Sequence, residues 1–142
     1  MPPTEVFISH SSHDRVFADE LVTVLTAHGV RVWYSPVNIQ GAQHWQDEIG
    51  LALARCDWFL IVLSPNSTQC PSDRIWWVKN EVSYAMNEAR LGGKIVPILL
   101  QPCEKKNLNW VIPQIQHIDF QNDFHEGCRT LLKIWGIDYV PK

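Results

Sequence analysis

Apolar positions along the chain fall into two alternating rhythms. Short apolar runs read as strands: Glu5 to Ser9 (E-V-F-I-S), Val30 to Tyr34 (V-R-V-W-Y), Asp57 to Leu63 (D-W-F-L-I-V-L) and Lys94 to Leu100 (K-I-V-P-I-L-L), with Gln116 to Phe120 as a fifth, edge strand. Between them the spacing turns helical. Phe17, Leu21, Val24, Leu25 and His28 share one face, closed by Gly29; Trp45, Ile49, Ala52, Leu53 and Cys56 share a second. Arg74 to Gly92 carries a third stripe, Val78, Val82, Ala85, Met86 and Ala89. Phe124, Cys128, Leu131, Leu132 and Trp135 form a fourth, closed by Gly136. The run from Asp57 is the most apolar and suits a central parallel strand buried on both faces. Pro97 cannot donate a ladder hydrogen bond, which weakens the case for its strand as a central one. Ser35 to His44 and Ser64 to Asp73 are polar loops, and Gln101 to Ile115 is irregular.

Strands alternating with helices at this spacing predict a parallel sheet covered on both faces, with ligands bound beyond the carboxyl ends of its strands. That edge collects Ser9, His10, Tyr34, Ser35, Ser64 and Pro65, and the helices entering at Trp45 and Trp77 begin there. On the third helix, Glu81 falls on the flank of the apolar stripe, with Trp77 one turn before it and Tyr84 and Glu88 nearby. Trp76, Lys79, Ser83, Asn87 and Arg90 fall on the opposite, wet side. A carboxylate beside two large rings on a ligand-binding edge is the feature most suggestive of chemistry. A lone glutamate on a helix is, by periodicity alone, most often a solvated residue.

Composition narrows the classes. A length of 142 residues fits one domain, over 1–142 with its core at about 5–136, with room for it to be the N-terminal part of a longer protein. A net charge of -3 with no run of like charges argues against nucleic acid or an anionic membrane as partner. No apolar stretch reaches the ~20 residues that span a bilayer, and the N-terminus lacks a secretory pattern. Cys56, Cys70, Cys103 and Cys128 show no C-x-x-C pair, which suits reduced thiols in a cytoplasmic protein, with Cys56 and Cys128 on buried stripes.

Several chemistries are argued against. There is no G-x-G-x-x-G after the first strand and no G-x-x-x-x-G-K-[ST], hence no redox dinucleotide cofactor and no P-loop. Ser64 stands where a phosphoacceptor domain needs an Asp at the end of its third strand. His10 and His13 lack a third ligand nearby, so no metal is expected, and Ser9, Ser11 and Ser12 have no nucleophile elbow around them.

E-V-F-I-S-H-S-S-H-D, H-G-V-R-V-W-Y, F-L-I-V-L-S-P and K-I-V-P-I-L-L, in this order and spacing, resemble a Toll/interleukin-1 receptor (TIR) domain over about residues 5–136. The run W-V-K-N-E from Trp77 to Glu81 resembles the W-x-x-x-E of TIR domains that cleave NAD, and the general look is bacterial. The resemblance implies an α/β, flavodoxin-like three-layer sandwich with a five-stranded parallel sheet in strand order 2-1-3-4-5. It also implies an NAD+ glycohydrolase or cyclase that works when self-associated, with NAD+ as substrate and no cofactor. Glu81 matches the family's catalytic glutamate, Trp77 the tryptophan beside it, and Trp45 an aromatic position of the NAD pocket. His10 sits where members contact the nucleotide, and Ser9 and Tyr34 complete the substrate-binding set. Ser35, Pro36, Val37, Asn38, Ile39, Gln40 and Gly41 match the assembly loop. Ser11, Ser12 and Ser35 depart from residues common among relatives, which bears on phosphate and assembly contacts rather than on the chemistry.

One glutamate suffices for this reaction. The pyridinium of NAD+ leaves as neutral nicotinamide without a general acid, and a fixed carboxylate stabilises the positive charge growing on the ribose. A free Glu, with a pKa of ~4.3, is ionised at neutral pH as that role requires. Trp77 and Trp45 would offer flat faces to a cationic ring. Two other readings stand beside this one. The first is a non-catalytic TIR scaffold acting through homotypic contacts of the 35–44 and 64–73 loops, with Val37 and Ile39 buried by a partner. The other is a nucleoside or nucleotide glycosidase or deoxyribosyltransferase. Bacterial immune defence is the biological setting the family look implies.

Overall fold

The structure is a computed structural model that describes residues 2–34, 42–72 and 75–141; within 42–46 it describes the backbone only. The elements are β1 (Val6–Ser9), α1 (Arg15–Ala27), β2 (Val32–Tyr34), α2 (Ala42–Arg55), β3 (Trp58–Leu63), α3 (Trp77–Met86), β4 (Ile95–Leu99), β5 (Ile118–Asp119) and α4 (Phe124–Ile134), with short 3-10 turns between several of them. All five strands are parallel, in the order β2-β1-β3-β4-β5. The sheet order and the alternation of strand and helix match the expectation from the sequence.

Each face of the sheet carries its own apolar cluster. Phe7, Phe59, Ile61 and Leu63 pack against Ile49, Ala52, Leu53 and Cys56 of the α2 segment and Val78, Val82 and Ala85 of α3. On the other face Val6, Ile8, Leu60 and Val62 pack against Leu21 and Leu25 of α1 and Cys128, Leu131 and Leu132 of α4. β3 is buried from Phe59 to Leu63, as its unbroken apolar run requires.

Local chemistry sets the element ends. α1 closes with Gly29 at φ +82, where the Gly29 amide donates to the Thr26 carbonyl at 3.0 Å and the Val30 amide to the Leu25 carbonyl at 3.0 Å. Val30 thus belongs to the helix cap, and β2 starts at Val32 rather than at Val30. β4 does occupy an interior position despite Pro97. Lys94 and Leu100 turn their backbone groups toward β3, so by alternation Pro97 faces β5. Lacking a donor there, β4 pairs with β5 only from Ile98, and the fifth strand shrinks from the expected 116–120 to two residues.

The third helix is shorter than its periodicity suggests. It ends at Met86, because Asn87 donates its side-chain amide to the Ser83 carbonyl and Glu88 adopts extended backbone. Ala89, expected on the buried stripe, instead lies exposed in a separate 3-10 turn, Ala89–Leu91, and Leu91 supplies the buried side chain.

Candidate active site

β1 delivers Ser9 and His10 to the carboxyl edge of the sheet. Because side chains alternate along a strand, Phe7 and Ser9 face α3 while Val6 and Ile8 face α1. Ser9 is fully buried, and its Oγ donates to Glu81 Oε1 at 2.6 Å. Glu81 itself is 4 % exposed, set in α3 among the buried Val78, Val82 and Ala85. It therefore lies inside the apolar stripe rather than on its flank. Burial pushes the Glu81 carboxyl up to about 8, with the Ser9 hydrogen bond pulling the other way. The expectation of an ionised Glu81 is corrected accordingly: in this geometry it holds its proton at neutral pH, because removing water from around a carboxylate costs more than one hydroxyl returns.

Trp77 opens α3 one turn before Glu81 and is half-buried against the same apolar cluster. Tyr84 is 37 % exposed and lies at the surface, so one large ring, not two, accompanies the carboxyl. Trp76 and Lys79, expected on the wet side, are both half-buried. Trp76 donates Nε1–H to the Ser67 carbonyl at 3.0 Å, and Lys79 lies over its ring while donating to the Asn107 and Leu108 carbonyls. The turn after β3 and the segment after β4 cover that side of α3, a long-range effect that helical periodicity does not carry.

A second group forms on the α1 side of the sheet. The His10 ring lies 5.8 Å from that of Tyr34. Tyr34 donates its hydroxyl to Asp19 Oδ1 at 2.8 Å, and Arg15 stacks 4.3 Å from the Tyr34 centroid while pairing with Asp19 at 3.0 Å. His10 Nδ1 is buried and has no hydrogen-bond partner among the described residues. Burial, then the nearby Arg15 guanidinium, push the His10 imidazole down to about 4. The edge thus splits the expected residues: Ser9, Glu81 and Trp77 on the α3 face, His10 and Tyr34 on the α1 face. Among the described residues no hydrogen bond joins Glu81 to His10 or Tyr34. The Trp45 side chain and the whole of Ser35 to Gly41 lie outside the described residues.

Sequence reasoning missed the link between the loops. Asp14 is buried and accepts from Ser64 Oγ and from Asn66 Nδ2, the latter at 3.1 Å. Ser64 and Ser67 exchange hydrogen bonds within the turn after β3, where Thr68 also donates to the Ser64 carbonyl at 2.8 Å. The signal was present in S-P-N-S-T after an apolar strand, a hydroxyl-rich turn that binds its own backbone. Ser64, in place of a phosphoacceptor Asp, is a clamp between β3 and the loop after β1. Beside this turn a cavity of about 440 Å³ opens between Thr68 and Gln69 on one side and Cys103, Glu104 and Asn107 on the other. Among the described residues no three His, Cys, Asp or Glu side chains converge as metal ligands, and no helix is long and apolar enough to cross a membrane.

A parallel five-stranded sheet in the order 2-1-3-4-5, with a buried carboxyl at its carboxyl edge, defines a flavodoxin-like α/β protein. The family model described as TIR domain matches residues 6–132, and the chain belongs to that family. The chain is similar to the TIR domain of the Toll-related receptor TRR-2 from Hydra magnipapillata, at 19% identity and TM-score 0.65 over 91% of this chain and 95% of that one. It is also similar to the TIR domains of the activated Roq1 resistosome that recognises the pathogen effector XopQ, at 15% identity and TM-score 0.63 over 92% and 98%. At these identities the two structures bear on the fold alone. No curated protein sequence matches.

Proposed function

We propose that this TIR domain cleaves the nicotinamide–ribose bond of NAD+, giving nicotinamide and ADP-ribose or a cyclic ADP-ribose isomer. The observation that carries the reading is Glu81: a buried carboxyl at the carboxyl edge of a parallel sheet, bonded to Ser9 at the end of β1. A scaffold has no use for a carboxyl whose burial costs free energy. In this reading Glu81 is the catalytic group that stabilises positive charge on the ribose. Ser9 positions it, Trp77 offers its ring to the nicotinamide, a role the resemblance also assigns to Trp45, and His10 and Tyr34 receive the rest of the dinucleotide across the strand. NAD+ is substrate, not a redox cofactor. Residues 35–41 serve as the self-assembly segment, and the Roq1 assembly is a TIR-containing precedent for clustering. A cytoplasmic, bacterial-type role in immune defence follows from the family look of the strand motifs.

The test is nicotinamide release from NAD+ by purified protein at low and high concentration, with Glu81→Gln in parallel. Release that grows faster than linearly with concentration and is lost in the variant is expected. Equal release by the two proteins would remove Glu81 from the chemistry. The scaffold reading draws on one observation, Trp110, which is 74% exposed. Absence of release at every concentration, with association demonstrated, would favour it.

A further inference from the structure

Among the described residues the other buried or half-buried carboxyls are compensated within the protein. Glu5 pairs with Arg55, Asp19 with Arg15, and Asp14 accepts from two side chains. Glu81 is the least compensated, with a single hydrogen-bond partner among the described residues, the Ser9 hydroxyl, against an ion pair at Glu5 and two donors at Asp14. Among the described residues the titratable groups on the elements around it are engaged elsewhere or exposed. Just after β1, His10 turns to Tyr34. On α3, Lys79 is committed to two carbonyls and Tyr84 is exposed, while Glu88 beyond its end pairs with Arg90 at 3.9 Å. On α2, Asp47 and Glu48 are exposed. Burial raises the affinity of the Glu81 carboxyl for its proton, and the Ser9 hydroxyl lowers it. A carboxyl so placed holds its proton until a cation comes close, and none of the described residues supplies one to Glu81.

We propose that Glu81 is a charge-selective docking group, ionising only as a cationic ring enters, so that the site selects pyridinium nucleotides over their reduced counterparts, whose ring is uncharged, and releases a proton when it binds them. The proposal rests on the NAD+-cleavage reading and adds the charge state of the ligand and its coupling to pH. The balance is simple. The O–H bond of the Glu81 carboxyl breaks, its proton passes to a buffer base, and the positive charge of the ligand takes its place beside the carboxylate. No electrons are exchanged. Trp77, in the same helix one turn away, supplies an aromatic face suited to such a ring.

The experiment is a calorimetric titration of the whole chain at pH 7 with the carbocyclic analogue of NAD+, which keeps the pyridinium but is not hydrolysed. It is run in two buffers of different ionisation enthalpy, with NADH as the ligand whose ring is uncharged. About 0.9 proton released per analogue bound is expected, with affinity rising about tenfold from pH 6 to 7 and about fivefold from 7 to 8. NADH should bind at least about tenfold more weakly and release none. Glu81→Gln should release none and lose the discrimination. Proton release near zero with the wild-type chain, or equal affinity for NADH and the analogue, would overturn the proposal. Nicotinamide release from NAD+ by the same preparation separates the outcomes. If release persists and depends on Glu81, charge selection alone falls; if there is neither binding nor release, the cleavage reading falls with it.

Discussion

Replacing Glu81 by Gln should stabilise the domain by an amount that grows with pH. The folded state keeps the Glu81 proton up to about pH 8, whereas the unfolded chain gives it up near 4.5. Between those values the unfolded state binds fewer protons, so stability falls as pH rises, by about 1.4 kcal/mol per pH unit. From pH 5 to 8 the wild-type chain should lose about 4 kcal/mol relative to Glu81→Gln, whose amide fits the same space without a proton to lose. His10 acts in the opposite sense. Its imidazole, held down to about 4 in the fold, adds stability as pH rises from 4 to 6.5 and nothing above. The two groups offset each other below pH 6.5 in the wild-type chain, and the Glu81 loss emerges between 6.5 and 8. In the difference between the two proteins His10 cancels. The assay is urea unfolding followed by the fluorescence of the seven tryptophans at each whole pH from 5 to 8. Two stability curves separated by a constant offset would refute the reasoning, because they would mean that Glu81 is already ionised in the fold.

The pH dependence of kcat/KM separates leaving groups. If a cationic pyridinium departs, the ionised form of Glu81 is required and the profile for NAD+ should rise with pH to a plateau above about 8; cleavage of a neutral nucleoside would use the protonated form and give a falling limb there. Asp14→Ala leaves the Ser64 hydroxyl and the Asn66 amide without their acceptor and should cost about 3 kcal/mol in chemical denaturation. A cost below about 0.5 kcal/mol would mean that the clamp contributes nothing.

Strand number, order and direction were legible because each apolar run is bounded by turn chemistry and because helices between strands force parallel pairing. Glu81 and Trp77 were legible as a motif. The depth at which Glu81 lies was not, since its partner Ser9 is 72 positions away and the cover of α3 comes from other segments. The same reason hid Trp76 and Lys79, which a helical wheel assigns to water but which the turns around Ser67 and Asn107 cover. The early end of α3 depended on Asn87 bonding back to Ser83, a local event that apolar spacing does not register. His10 and Tyr34 were placed at the correct edge, but the strand's alternation sends them to the face opposite Glu81.

Among the described residues the sheet ends in β2 on one side and β5 on the other, of three and two residues, with Pro97 removing a donor next to β5. A long, regular border would invite a second copy to extend the sheet by backbone pairing, which is sequence-blind and difficult to reverse. Borders this short give such pairing almost nothing to hold. If copies of the chain associate as proposed, recognition between them falls to side chains on helices and loops, where a single substitution can tune it.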